Sequence, residues 1–268
     1  MRRESRILEF LTEWATADRL LALDAQGYVV IEALTIAGLS PSPTASRPNA
    51  FVGIDGKTYW VKAGVQQGLV AEVIAGRLAS RVGVGPAARI LRVTTDALPS
   101  DGSANHLEGV VCGIEHLEGV VNCKDLSPLI ANGQFTAGAI DPASRAKTVV
   151  FQTWLGVGDQ QVLVNLTNGR VSSIDHGDCF GHLANAVPID LVIAPIPGVS
   201  DSVGRDRLLV ESAVSLIEGV SDRELLGVVS QIPSGDAWRS PTDRRLAIGE
   251  WLAVRRDNLR VAMGRWMV

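Results

Sequence analysis

Two aspartates, Asp159 and Asp175, flank a stretch that reads as a β-hairpin within Phe151–Phe180, FQTWLGVGDQQVLVNLTNGRVSSIDHGDCF. A helix leads into the first through Gly156-Val157-Gly158, and a strand over Val171–Ile174 ends on the second. A hairpin returns the chain to its start, so two carboxylates distant in sequence meet at one spot. Such a pair suits phosphoryl transfer: one carboxylate orients an attacking hydroxyl and the other holds Mg²⁺. Each aspartate alone has a plainer reading as a turn or capping residue. Asp178 rivals Asp175 for the metal but lies past Gly177, away from the strand end. His176 reads as a support for the turn or a phosphate contact.

A second pair lies upstream. Lys62 ends the strand Thr58–Lys62, and Glu72 sits in the first half of the next helix. A strand-end lysine pointing into a cleft binds phosphate oxygens, and a glutamate on an adjoining helix holds its ammonium. Separately, a lysine and a glutamate are more often solvated. The order strand lysine, helix glutamate, hinge strand, helix, loop aspartate, hairpin, strand aspartate is what gives them weight together.

The elements that must position these residues fall into two halves. Residues 4–23 have helical apolar spacing. Tyr28–Ile36 reads as a strand, and Gly38–Ala50 (GLSPSPTASRPNA) as a loop. Phe51–Ile54 and Thr58–Lys62 form a hairpin on Asp55-Gly56. A helix over Gly68–Val82 and strands over Ala88–Val93 and Gly109–Ile114 complete the first half, with Ile114–Asn122 as the junction. The second half reads as helices over Lys124–Asn132, Pro142–Gly156, Arg205–Glu218, Asp222–Gln231 and Asp243–Met263. A hairpin of Val162–Leu166 and Val171–Ile174 is inserted among them. The expected class is therefore α+β and two-lobed: an N-terminal helix (1–24), a β-rich N-lobe (25–118) and a mainly helical C-lobe (119–268). A site in the cleft between lobes is the natural expectation.

Composition narrows the partners. The 268 residues are 46% apolar and 20% charged, enough to bury a sizeable core. Net charge is −4, so no global basic field recruits nucleic acid or acidic lipid. Cys112, Cys123 and Cys179 form neither a CxxC pair nor a zinc spacing. The opening MRRESRILEF does not read as a secretory signal, and no run is long and apolar enough for a membrane span. The cytoplasm is the expected compartment. Val187–Val199 is apolar but broken by prolines, and reads as buried or partner-facing.

Four segments resemble the HipA-like kinases, relatives of the eukaryotic protein kinases and phosphoinositide kinases, over roughly Tyr28 to Arg260. They are SRPNAFVGIDGKTYWVK, LVAEVIAGRLASRVGVGPA, FQTWLGVGDQQ…SSIDHGDCF, and a tail ending WLAVRRDNLR. The resemblance implies a protein-kinase-like fold that uses ATP and Mg²⁺. Lys62 would contact nucleotide phosphates and Glu72 would pair with it. Gly113, Ile114, Glu115, His116 and Leu117 would be the hinge that reads adenine. Ser46, in the loop Ser42–Arg47, would lie over the phosphates. Asp159 would be the catalytic-loop aspartate and Asp175 the Mg²⁺ aspartate. The acceptor would be a protein serine or threonine, and a cognate antitoxin or defence-system partner would fit the family.

The chain departs from the family after Asp159. The usual order is Asp, Arg, His, two residues, then a metal-binding Asn. Here Gln160 and Gln161 follow the aspartate, Val164 holds the Asn position, and Asn165 comes one residue later. Either Asn165 reaches the metal through a bulge, or Gln161 supplies an amide oxygen, or the ligand is missing. The leading expectation is an atypical kinase. The alternatives are a nucleotide-binding pseudokinase or regulatory module, and a structural protein that uses its six tryptophans and the Val187–Val199 segment as interface.

Overall fold

The computed structural model describes residues 29–31, 50–62, 66–98, 100, 102, 105–180, 183, 187–232, 238 and 240–267. The expected N-terminal helix, the loop residues 38–49 and Ser46 among them lie outside the described residues.

The Asp55-Gly56 turn forms because Gly56 holds φ +76°, a conformation glycine adopts without steric cost. Asp55 Oδ1 accepts the Lys57 N–H at 3.1 Å and closes the turn. It joins β2 (Ala50–Val52) to β3 (Thr58–Lys62) in antiparallel register. Tyr59 and Val61 are buried on one face of β3, while Trp60 and Lys62 point to the other. With β1 (Val29–Ile31), β4 (Ala88–Val93) and β5 (Gly109–Glu115), these strands make a five-stranded sheet in the order β1-β4-β5-β3-β2. Only β1 runs parallel to its neighbour, β4.

Helix α1 (Gln66–Arg81) crosses the sheet face that carries Lys62. Its apolar stripe, Leu69, Val73, Ile74 and Leu78, is buried in a core shared with the C-terminal helices. The two lobes therefore share one continuous core, with α1 as its bridge. Tyr59, Val61, Leu91 and Val111 form a separate, smaller core on the other sheet face.

The second half begins with a finding the sequence did not show. Val120–Asn122, expected as part of the junction, forms β6. It pairs antiparallel with β7 (Gln161–Asn165), which pairs with β8 (Val171–Ile174). The sheet thus has three strands, and β6 carries the chain beside the loop that holds Asp159. A 3₁₀ turn over Cys123–Asp125 follows and runs into α2 (Leu126–Ala131), where a continuous helix was expected.

Helix α3 (Pro142–Leu155) starts at Asp141, whose side chain accepts the N–H groups of Ala143 and Ser144, with Pro142 at its first position. It ends at Gly156, which is left-handed at φ 62°. Helices α4 (Arg207–Glu218), α5 (Asp222–Ser230) and α6 (Thr242–Met263) pack on it and on α1. A full capping box of Ser221 and Glu224 opens α5. In the apolar segment, Ile189, Val192, Ala194 and Ile196 are buried, and Thr153 Oγ1 ties the Val192 backbone to α3. Of the five described tryptophans, Trp154, Trp238, Trp251 and Trp266 are buried, so most of that aromatic surface is core, not interface. Among the described residues, no helix is long and apolar enough to cross a membrane.

The lobes meet closely at β8. The Ser173 N–H donates to the Val84 carbonyl at 2.7 Å. A Cβ on Gly85 would stand 2.5 Å from the Ser173 carbonyl oxygen, so only glycine permits this approach. The strand that ends on Asp175 is thereby pressed against the end of α1.

Candidate active site

Lys62 is the centre of the arrangement. Its Nζ lies 2.8 Å from Glu72 Oε2 and 2.6 Å from Asp175 Oδ1. One ammonium thus ties the β-sheet, α1 and the end of β8 together. Burial acts to lower the Lys62 pKa, but Glu72 and Asp175 outweigh it and hold the ammonium well above its usual range. Glu72 is buried, which raises its pKa, yet Lys62 and the His176 side chain win and hold the carboxyl down to about 2.

Behind Glu72 runs a buried polar chain. The His176 N–H donates to Glu72 Oε2 at 3.1 Å, and His176 Nδ1 is 3.7 Å from Glu72 Oε1. His176 Nε2 shares a 2.8 Å hydrogen bond with Ser173 Oγ, which accepts from Gln152 Nε2 at 3.0 Å. The side chain of His176 therefore braces α1 against β8 from behind the site. Ser173 and Gln152 were not legible as site residues: a serine in a strand and a glutamine in a helix carry no sequence signal of their own.

Asp175 itself is left-handed, at φ 57°. Aspartate is among the few non-glycine residues that tolerate this region. The turn aims its carboxylate back at Lys62 instead of letting the strand continue. Phe180, five residues on, has φ 65°, an uncommon conformation for a bulky residue. It is held by burial and by an edge-on contact with Trp251 at 5.6 Å.

The loop carrying Asp159 is pinned from two sides. Arg255, on α6, donates to the carbonyls of Trp154 at 2.7 Å and Thr153 at 2.6 Å, capping the end of α3. Its guanidinium lies 4.4 Å from the centre of the Trp251 ring, and burial lowers its pKa to about 10. On the other side, Asp178 Oδ2 accepts the Asp159 N–H. A Cβ on Gly158 would collide with that same oxygen, at 2.5 Å. Asp178 thus holds the loop that carries Asp159.

Gln161 joins the two aspartates. Its Nε2 donates to Asp159 Oδ2 and to Asp175 Oδ2, both at 2.8 Å, while its Oε1 accepts from Asn122 Nδ2 at 3.3 Å. The amide offers its N–H groups, not its oxygen, to the carboxylates. A ligand role for Gln161 needs the amide reversed. Asn165 is placed differently from its expected role. Val162 and Val164 are buried, so Asn165 shares the face of Gln161. However, it lies four residues along β7, about 13 Å at the usual strand rise. Its Oδ1 accepts the N–H groups of Thr167 and Asn168 and builds the hairpin turn. Asn165 is therefore a turn residue, and its side chain does not make the expected metal contact.

The hinge expectation also shifts. Gly113 and Ile114 lie in β5 with strands paired on both sides. Gly113 packs against Leu91, where a Cβ would meet Cδ1 at 2.0 Å. Glu115 donates its N–H to Ala87, and His116 donates its N–H to Thr58. The N–H groups of Glu115 and His116 are thus committed to the fold and are not free to read an adenine. His116 Nδ1 instead accepts from Trp60 Nε1 at 3.1 Å.

The donor set at Asp159 and Asp175 fits Mg²⁺. A positively polarised amide sits between two carboxylates, the place a small hard cation would take. Among the described residues, no three His, Cys, Asp or Glu side chains form a metal cage by themselves. Mg²⁺ commonly binds through one or two carboxylates and completes its shell with phosphate oxygens and water.

The Lys62–Glu72 pair sets an acid limb for stability. Glu72 titrates at about 2 in the fold against an ordinary 4.5. The carboxylate's stabilisation is therefore complete above about 4.5 and is lost as pH falls toward 2. Glu72→Gln is expected to cost about 1–3 kcal/mol at neutral pH, below the full buried-pair range because Lys62 is partly exposed. In urea unfolding at stepped pH, the gap between the variant and the native chain should close as pH falls from 4.5 to 2. A gap that does not vary with pH would show that Glu72 is not ionised in the fold.

A β-rich half, a helical half, a strand lysine held by a helix glutamate and two facing aspartates define a protein-kinase-like fold. A solved structure agrees. The chain resembles the proinflammatory kinase CtkA of Helicobacter pylori, at 13% identity over 89% of this chain and 98% of that one, with a TM-score of 0.50. It also aligns with a Golgi casein kinase at 10% identity over 92% and 76% of the two chains, TM-score 0.43. The FAT and kinase domain of CtTel1 aligns at 14% over 82% and 21%, TM-score 0.38. No protein-family model matches the chain, and no curated protein sequence matches it.

Proposed function

We propose that this chain is an ATP-dependent kinase that transfers the γ-phosphoryl group to a hydroxyl, with a protein serine or threonine as acceptor. The observation that carries the reading is the bridge from Lys62 to both Glu72 and Asp175, at 2.8 and 2.6 Å. That geometry presents a fixed ammonium to phosphate oxygens and a carboxylate to a metal, the two parts phosphoryl transfer requires. The HipA-like assignment, the protein acceptor and an antitoxin or defence-system partner are carried by the sequence resemblance alone.

In this reading Lys62 binds the nucleotide phosphates, and Glu72, braced by His176, keeps it from swinging away. Asp175 would hold Mg²⁺, with Gln161 as an amide ligand only if its side chain were reversed. When bound, Mg²⁺ neutralises charge on the phosphate oxygens. Asp159 orients the acceptor hydroxyl and receives its proton, which then passes to solvent. The balance is simple: the bond from the γ-phosphorus to the ADP oxygen breaks, a bond to the acceptor oxygen forms, and ADP leaves.

A second reading has its own support. Asn165 stands at the far turn, and Gln161 closes the two carboxylates with N–H groups. A chain built this way would bind nucleotide with little turnover. ADP formation from Mg-ATP by the purified chain, followed alongside Mg-ATP binding, separates the two. Binding with turnover supports the kinase, binding without turnover supports the regulatory module, and no binding removes both.

A further inference from the structure

Lys124 is a residue the sequence did not single out. Its Nζ is 3.9 Å from Asp159 Oδ1, on the opposite side of that carboxylate from Gln161. The backbone beneath it is built. Asn122 Oδ1 accepts the Lys124 N–H at 3.0 Å, and Cys123 is buried between them. The same Asn122 side chain donates to Gln161. Strand β6 brings this corner to the site, because Asn122 is opposite Leu163 in the register with β7.

The pair with Asp159 is long, and both side chains are exposed, 45% for Lys124 and 64% for Asp159. A pair of that kind adds almost nothing to stability. The lysine is therefore not needed to hold the fold, and its half-exposed ammonium stands beside Asp159 with donors to spare. The charge balance gives it a use. Glu72, Asp159, Asp175 and Asp178 gather here, and the charge of Lys62 is already shared between Glu72 and Asp175. The residues that follow Asp159 supply no cation: Gln160 turns back toward the Val157 carbonyl, and Gln161 is neutral. A second positive side chain beside Asp159 would complement a polyphosphate there.

We infer that Lys124 is that cation, binding the terminal phosphate of the nucleotide next to the acceptor position. The inference rests on the nucleotide-site reading above. Its test does not depend on turnover. Binding of Mg²⁺ with ADP and with a non-hydrolysable ATP analogue is measured by calorimetry for the native chain, Lys124→Met and Lys124→Arg. Lys124→Met should weaken the ATP analogue about tenfold or more, the worth of one charge-assisted hydrogen bond. ADP affinity should stay at the native value, and Lys124→Arg should recover most of the loss. Equal affinities for the analogue in the native chain and Lys124→Met overturn the inference and leave the nucleotide site standing, as does an equal loss for both nucleotides. A native chain that binds neither nucleotide overturns the site reading itself, and this inference with it.

Discussion

Asp175→Asn is expected to reduce phosphoryl transfer by about a thousandfold or more, and to weaken Mg-ATP binding, while the chain stays folded. The substitution is chosen for the backbone. Asp175 sits at φ 57°, where asparagine is tolerated and alanine is strained. Asparagine keeps the turn and a contact for Gln161, and removes only the charge. What is lost is the carboxylate that faces Lys62 on one oxygen and Gln161 on the other. Lys62 keeps Glu72, so the lysine does not leave the site. A melting temperature close to native, together with lost Mg-ATP protection, would place the defect in the metal position. Native-level transfer by Asp175→Asn would remove that position from the account.

Asp159→Asn should separate chemistry from binding. Its side chain is exposed, and its backbone is held by Asp178, so the substitution leaves the loop in place. An amide oxygen still accepts from Gln161 Nε2. The variant lacks the basic carboxylate that takes the hydroxyl proton, a role worth about 10²- to 10⁴-fold in rate. Turnover should fall by that amount while Mg-ATP affinity changes little. A matching loss of affinity would mean that Asp159 acts mainly on the nucleotide. Unchanged turnover would mean that the base lies elsewhere.

The residues that were legible in the sequence share a property. Lys62, Glu72, Asp159 and Asp175 each stand at a boundary the local chain announces: a strand end after Asp55-Gly56, a helix between glycines, a Gly-rich loop, and a strand end before His176-Gly177. Local chemistry fixed those boundaries, and the fold brought them together. What was not legible depends on distant pairing. Strand β6 has three residues and finds its partner some forty positions later, which no periodicity reveals. With it went Asn122 and Lys124. Asn165 matches the expected metal ligand in residue type alone. The alternation of β7 puts it on the right face but at the wrong end, where its side chain builds the turn. From the sequence Asp178 reads only as a rival ligand, because its contact with the Asp159 backbone requires the chain to double back at the left-handed Asp175. The bonds that occupy the Glu115 and His116 N–H groups were hidden for a related reason: they depend on where Ala87 and Thr58 lie beside β5, a fact of strand order and not of residue type.

The most direct test of the central claim is ADP formation from Mg-ATP, measured side by side for the native chain, Asp159→Asn and Asp175→Asn, with unfolding curves for all three. The account predicts turnover by the native chain, its loss in both variants, and unfolding curves that remain cooperative. Turnover that persists at the native rate in both variants would contradict it, because the two facing aspartates would then not be the site of transfer.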